Sequence, residues 1–126
     1  MNRREVEIGG QRRSVHFGLK VIGDCIEHMD NDPIKFMVSI SQNSFKAVPL
    51  LFYYGLKYSE ERNGKPFNHT LIEVTEWVEE IGLDDDRVLD VVQAFMRSLY
   101  DNVPDIRESI DKMDEDEKKS LIGETT

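Results

Sequence analysis

The first thirty residues change from a two-residue to a helical periodicity, and this change constrains the fold more than any other part of the chain. Val6 and Ile8 alternate with charged residues, the pair Gly9 and Gly10 follows, and alternation resumes over 14–17. Paired glycines supply the positive φ angles that tight hairpin turns require. The pattern therefore predicts a short β-hairpin at the start of the chain.

Beyond Gly18 the apolar residues recur about every 3.6 positions, which is the spacing of one helical stripe. The stripe of this first helix consists of Leu19, Ile22, Ile26 and Met29. Every later periodic segment also has helical spacing. We therefore predict a mainly α chain with a short N-terminal β-hairpin (α+β), folded as a compact bundle of about five helices.

The next two helices are predicted from turn residues and apolar content. Asp32 is a suitable N-cap for a short helix over 34–41, because Pro33 follows it at the first helical position. The segment 45–58 is apolar around most of its circumference and is the expected central helix, with Pro49 near its start and Gly55 allowing a neighbouring helix to approach closely. Its expected core residues are Leu51, Phe52, Tyr54 and Leu56.

Two further helices follow a predicted loop over 62–68. The first opens at His69 or Thr70 and ends at Gly82, and its expected buried stripe is Leu71, Val74, Val78 and Ile81. Three aspartates over 84–86 predict the start of the second helix, because negative side chains stabilise the positive N-terminal end of a helix dipole. The expected buried residues of that helix are Val88, Leu89, Val92, Phe95, Met96 and Leu99.

The chain is expected to divide at Pro104. Residues 1–104 form the hairpin and helical domain in this interpretation. Residues 105–126 keep helical spacing at Ile106 and Ile110 but become densely acidic. We predict an exposed acidic C-terminal helix that frays into a flexible tail over 121–126.

Charge and cysteine content restrict the classes of partner. The 126 residues carry a formal net charge of −9, so binding to nucleic acid is disfavoured. The basic residues that would favour nucleic-acid binding flank the hairpin: Arg3, Arg4, Arg12 and Arg13. A single cysteine, Cys25, excludes an intrachain disulfide. With neither a signal peptide nor an apolar run of membrane-spanning length expected, we predict a cytoplasmic protein that does not bind membranes.

Candidate chemical groups are few. Cys25 and His28 form an isolated C-x-x-H pair without a second pair to complete a metal site. Gly9-Gly10 has neither the spacing nor the lysine of a phosphate-binding loop. The glutamates over 73–80 are typical of a solvated helix face. We therefore expect no catalytic residue, metal, cofactor or small-molecule substrate, and we predict that the chain is not an enzyme.

The aromatic residues are the remaining sequence feature of interest. Phe52, Tyr53, Tyr54 and Tyr58 lie within seven residues, and a small domain cannot bury all of them. Exposed aromatic side chains often mark protein-binding surfaces. The candidate partner-binding residues are Tyr53, Tyr58 and Trp77.

The arrangement of three segments resembles the tail assembly chaperones of long-tailed bacteriophages and prophages. The segments are EVEIGGQRRSVHFGLKVI over 5–22, AVPLLFYYGLKYSE over 47–60 and TLIEVTEWVEEIGLDDDRVLDVVQAFMRSL over 70–99. They match that family's strand, glycine turn, strand and first helix, its apolar helix ending in Gly-Leu, and its acidic helix, glycine break and following helix. Together they cover most of residues 5–100.

This resemblance implies a small helical protein of the bacterial host cytoplasm that acts during virion morphogenesis. Members of the family are thought to coat the tape measure protein, keep it in solution and recruit tail tube subunits. The implied partners are therefore the tape measure protein and the tail tube protein, and self-association along a long client is a further hypothesis. Two alternatives stay open: a structural tail completion or connector protein retained in the virion, and a DNA-binding regulator acting through the hairpin arginines.

Overall fold

A computed structural model describes residues 3–122, without the side chain of Ser120. These residues form an N-terminal hairpin followed by seven helices. The elements are β1 (Arg3–Ile8), β2 (Gln11–His16), α1 (Leu19–Glu27), α2 (Pro33–Gln42), α3 (Ser44–Arg62), α4 (Leu71–Ile81), α5 (Asp86–Asn102), α6 (Pro104–Asp111) and α7 (Glu115–Ile122). The predicted fold class, mainly α with an N-terminal hairpin, is confirmed. Five helices precede Pro104, and two more follow Val103.

The hairpin forms where the alternation predicts it. β1 and β2 pair antiparallel with Ile8 opposite Gln11. Gly9 and Gly10 between them have φ angles of 62° and 81°. Two consecutive positive φ angles are the signature of the tight turns that match the twist of paired strands. One face of the hairpin carries the buried residues Val6, Ile8 and Val15 into the core.

α1 packs on the core through only part of the predicted stripe, since Ile22 and Met29 are buried and Ile26 is half-buried. Leu19 was expected to be buried, but 72% of its surface is exposed. The buried residues are Val21, Ile22 and Cys25. Val21 and Cys25 lie one turn apart, and a helix that packs through them turns Leu19 outward. Cys25 is therefore a small residue of the core.

α2 begins as predicted. Asp32 Oδ1 accepts hydrogen bonds from the backbone N–H groups of Ile34 and Lys35, at 3.0 and 3.2 Å, and Pro33 occupies the first helical position. This cap satisfies two N–H groups that have no partner within the helix.

α3 is the central helix, as predicted, although it begins earlier than expected. It starts at Ser44, and Pro49 lies inside it rather than near its start. Its buried residues are Ala47, Val48, Pro49, Leu50, Leu51, Phe52, Gly55, Leu56 and Ser59. Burial of this many side chains outweighs the one backbone hydrogen bond that Pro49 cannot donate.

Two predictions about α3 are wrong in detail. Tyr54 was expected in the core, but it is half-buried, and its hydroxyl lies 2.6 Å from His28 Nε2. A phenol retains a polar partner at the edge of the core in this way. Gly55 does allow a close approach, but the neighbour is a strand: a Cβ atom at Gly55 would lie 2.4 Å from Val15 Cγ1.

α4 begins and ends at the predicted signals, and α5 begins at its predicted signal. Thr70 caps α4 and exchanges hydrogen bonds with Glu73 in a capping box, and Gly82 ends the helix. Asp85 caps α5 by accepting a hydrogen bond from the Arg87 N–H group. These caps supply partners for otherwise unpaired backbone groups at the helix ends.

The predicted buried faces of these two helices need correction at four residues. Val74 and Val78 are buried in α4, but Leu71 lies at the exposed start of the helix and Ile81 is half-buried. In α5, Val91 is buried, whereas Leu89 is exposed and Val92 is half-buried. The buried face of α5 is therefore rotated toward Val91, because the helix packs against the C-terminal helices as well as the hairpin.

The C-terminal segment forms two packed helices rather than one exposed helix. Ile106 and Ile110 of α6 and Ile122 of α7 are buried, and both helices contact α5. Residues 112–114 separate them, and the Asp114 carboxylate accepts a hydrogen bond from the Glu117 N–H group near the start of α7. The predicted flexible tail is wrong for residues 121 and 122, which belong to α7 because Ile122 joins the core. Residues 123–126 lie outside the described residues.

Candidate partner-binding site

Two of the three predicted partner-binding residues belong to one row of aromatic rings. Tyr53 and Trp77 are joined through side chains of the α3–α4 loop, with neighbouring ring centroids 4.8 to 5.7 Å apart. In order, the members of this aromatic row are His28, Tyr54, Tyr53, Phe67, His69 and Trp77. Contacts between successive tilted and edge-to-face rings hold the irregular loop before α4 against α3.

Trp77, at one end of the row, packs against the hairpin turn. A Cβ atom at Gly9 would lie 2.7 Å from two carbons of the indole, so the glycine backbone lies directly on the ring. The Arg13 guanidinium lies 4.6 Å from the ring centroid and also donates hydrogen bonds to the carbonyl oxygens of Ile8 and Gly9. A cation close to an indole face is attracted to the electrons of the ring. Trp77 therefore holds the hairpin turn against α4.

Tyr58 lies apart from the aromatic row. Its ring centroid is 6.2 Å from that of His16 on β2, and the Arg62 guanidinium lies 6.0 Å from the Tyr58 ring. His16 is buried, and burial together with the charges of Arg62 and Arg3 lowers its pKa. The three predicted residues thus occupy two places on the molecule.

Tyr53, Tyr58 and Trp77 are all half-buried and already contact other residues of the chain. These internal contacts give each ring a structural role. Partner binding by these three residues stays a prediction.

A more open apolar surface lies between α3 and α4, and the sequence interpretation did not include it. A recess of about 390 Å³ is lined by Phe45, Pro49, Thr75, Val78, Glu79 and Leu83. A neighbouring recess of about 290 Å³ shares three of these residues and adds His28, Lys46, Leu50 and Leu71. Because the two recesses share Phe45, Pro49 and Thr75, they form one continuous depression. We call it the α3–α4 groove.

Large apolar side chains remain exposed beside this groove. The surface of Phe45 is 80% exposed, that of Ile72 is 72% exposed, and Leu71 is also exposed. Phe45 and Leu71 line the groove directly, and Ile72 is the next residue of α4. Exposed apolar residues gathered at a depression are typical of protein-binding surfaces.

The sequence contained a signal for this surface at Ile72. Ile72 is apolar but lies outside the helical stripe of Leu71, Val74 and Val78, which predicts an apolar residue on the outer side of α4. Phe45 gave a weaker signal, because it begins the segment 45–58, which is apolar around most of its circumference and was expected to form the central helix. The groove itself depends on how α3 and α4 pack, which periodicity within each helix does not determine.

The arginines of the hairpin all have partners within the chain. Arg4 pairs with Asp90 of α5 at 3.4 Å. Arg3 and Arg12 lie 3.8 and 4.0 Å from the two carboxylate oxygens of Glu5. Arg13 lies over Trp77. These contacts connect the arginines to the fold, and the DNA-binding alternative stays untested.

Cys25 and His28 differ in their surroundings. Cys25 is buried, and burial raises the pKa of its thiol, whereas His28 is exposed and contacts Tyr54. Among residues 3–122, no cluster of three or more His, Cys, Asp or Glu side chains is arranged to hold a metal ion. In the same part of the chain, no helix has both the length and the apolar content needed to cross a bilayer.

Comparison with known proteins gave no match. No family model, no curated protein and no solved structure is significantly similar to the chain.

Proposed function

We propose that the chain is a tail assembly chaperone of a long-tailed bacteriophage or prophage. In this role it binds the tape measure protein, keeps it in solution and recruits tail tube subunits during tail morphogenesis. The binding is reversible and includes no covalent step. The protein acts in the cytoplasm of the bacterial host.

The observation that carries this proposal is the exposed apolar surface at the α3–α4 groove. Phe45 and Leu71 expose side chains at a depression that Pro49 and Leu50 also line, and the exposed Ile72 follows Leu71 on α4. A chaperone that prevents aggregation needs an apolar surface of this kind, because its clients expose apolar side chains before assembly. The residue pattern over 5–100 that resembles the tail assembly chaperones supports the same proposal.

The acidic character of the chain supports the proposal that the protein keeps its client in solution. A net charge of −9 opposes self-aggregation of the chaperone and of the complex that it forms. An apolar binding surface on an acidic domain lets a complex form without precipitation.

The proposal is tested by co-expression with the tape measure protein of the same phage. We expect the tape measure protein to stay in the soluble fraction and to co-purify with the chain. Phe45→Ser is expected to lower this retention, because it removes the most exposed aromatic side chain at the groove. Circular dichroism of the variant checks that its helices are intact. Insolubility of the tape measure protein in the presence of the intact chain contradicts the proposal.

The same experiment distinguishes the structural alternative. A tail completion or connector protein remains in the finished particle, whereas a chaperone leaves before assembly ends. Detection of the chain in purified virions, combined with no effect on the tape measure protein, supports a completion or connector protein.

A further inference from the structure

We propose that the α3–α4 groove binds a basic amphipathic helix, with apolar side chains in the groove and lysine or arginine side chains against α4. This inference rests on the proposed function and specifies the kind of client segment that the groove takes. Three observations carry it: the apolar lining, the length of α4 and the unpaired carboxylates on its outer face.

The groove lies between two helices and is open along α4. The eleven residues of α4 span about 16 Å at 1.5 Å per residue. A helix that presents apolar residues at i, i+3 or i+4, and i+7 covers about 10 Å, so a stripe of two turns fits along α4. The side chains that meet this stripe are Phe45, Leu71 and Leu83, and the exposed Ile72 follows Leu71 on α4.

The outer face of α4 carries uncompensated negative charge. Glu76 and Glu79 are exposed, and within residues 3–122 neither of them lies within 4.0 Å of a basic group. Glu80 lies on the other side of α4, in a recess shared with the hairpin turn. Glu79 lines the groove itself. Glu76 lies one turn beyond Ile72, so a carboxylate stands beside an exposed apolar side chain.

Charge complementarity therefore selects the partner. A helix with lysines or arginines on the flank that faces α4 places cations against these carboxylates. Lys46 is the lysine that lines the groove on its α3 side, so the other flank of the bound helix meets positive charge. A second copy of the chain, with its net charge of −9, is a poorer electrostatic match than a basic helix.

The test uses two synthetic helical peptides of about four turns with the same apolar stripe. One peptide carries lysines along one flank, and the other carries glutamates at the same positions. Fluorescence anisotropy measures the dissociation constant of each peptide for the full chain at low and at high salt. We expect the lysine peptide to bind about tenfold more tightly at low salt, with the difference shrinking as salt screens the charges.

Two double variants assign the effect to the groove side of α4. Glu76→Gln/Glu79→Gln is expected to abolish most of the preference for the lysine peptide. Glu61→Gln/Glu108→Gln removes the same number of charges at exposed positions that do not line the groove, and it is expected to keep the preference. An equal effect of the two variants overturns the inference, because it assigns the preference to net charge.

The remaining outcomes separate this inference from the proposed function. If both peptides bind equally and Ile72→Ser weakens both, the groove is an apolar binding site without charge selection, and only the basic partner is overturned. If neither peptide binds, the groove is not a docking site for helices, and the inference is overturned. Retention of the tape measure protein in solution tests the proposed function independently of either result.

Discussion

The backbone of Gly9 lies against the indole ring of Trp77, so that a Cβ atom at Gly9 would lie 2.7 Å from Cδ2 and Cε2 of the ring. Gly9 is in the hairpin turn and Trp77 is in α4, so this contact joins the first element of the chain to a helix more than sixty residues later. Both the positive φ angle and the close approach require glycine at this position.

Gly9→Ala is therefore expected to destabilise the fold by about 2 kcal/mol, through backbone strain and displacement of the indole. Gly10→Ala is the matched control: its φ angle is also positive, but a Cβ atom there meets no atom within 4 Å. We expect the control to lose about 1 kcal/mol in the free energy of unfolding, because it introduces backbone strain without a steric clash. Urea unfolding measures both variants. Equal losses contradict a packing role for Gly9.

Gly55→Ala tests the contact between the hairpin and the central helix. In an open helix this change stabilises, but here the new Cβ atom would lie 2.4 Å from Val15 Cγ1 and 3.0 Å from the His16 carbonyl oxygen. We expect a loss of about 1 to 3 kcal/mol in the free energy of unfolding.

Gly23→Ala in α1 is the control for Gly55→Ala, because a Cβ atom at Gly23 meets no atom within 4 Å. It is expected to stabilise the protein by about 0.5 to 1 kcal/mol. If β2 approaches α3 at Gly55, the melting temperature falls in Gly55→Ala and rises in Gly23→Ala. Stabilisation by Gly55→Ala rules out that approach.

His16 is expected to make the protein less stable in mild acid. It is 6% exposed, its Nδ1 atom has no hydrogen-bond partner among the described residues, and burial followed by the charges of Arg62 and Arg3 lowers its pKa. Glu5 opposes this shift. Below the unfolded value of about 6.5, the unfolded chain binds a proton that the folded chain does not, so stability falls with pH until the lower folded pKa is reached.

His16→Phe removes the group that binds this proton and keeps an aromatic ring beside Tyr58. Its free energy of unfolding is expected to change less between pH 7 and the lower folded pKa than that of the unmodified chain. Urea unfolding at a series of pH values measures the difference. Parallel pH profiles for the two proteins contradict the burial of a neutral histidine.

Local sequence signals predicted the elements of this fold well. The Gly9-Gly10 turn, the caps at Asp32 and Thr70, and the helix end at Gly82 are all found where turn and cap residues predict them. These features depend on a few neighbouring residues, which is why a single sequence is enough to find them.

Features that depend on packing between elements were predicted less well. Pro49 was expected near a helix start, but burial of the surrounding residues extends α3 five residues before it. Ile106 and Ile110 were assigned to an exposed helix because their neighbours are acidic, yet both are buried. The α3–α4 groove was missed for the same reason, since it arises only when two helices pack.

The most direct test of the central claim measures the affinity of the chain for a soluble fragment of the tape measure protein after a change at the groove. Ile72→Ser and Leu19→Ser each remove an apolar side chain that is 72% exposed, and of the two only Ile72 directly follows a residue that lines the groove. If the groove binds the client, Ile72→Ser weakens binding by about tenfold, while Leu19→Ser changes it by less than about twofold. Equal effects of the two substitutions, or no effect of Ile72→Ser, contradict the assignment of the groove as the client-binding surface.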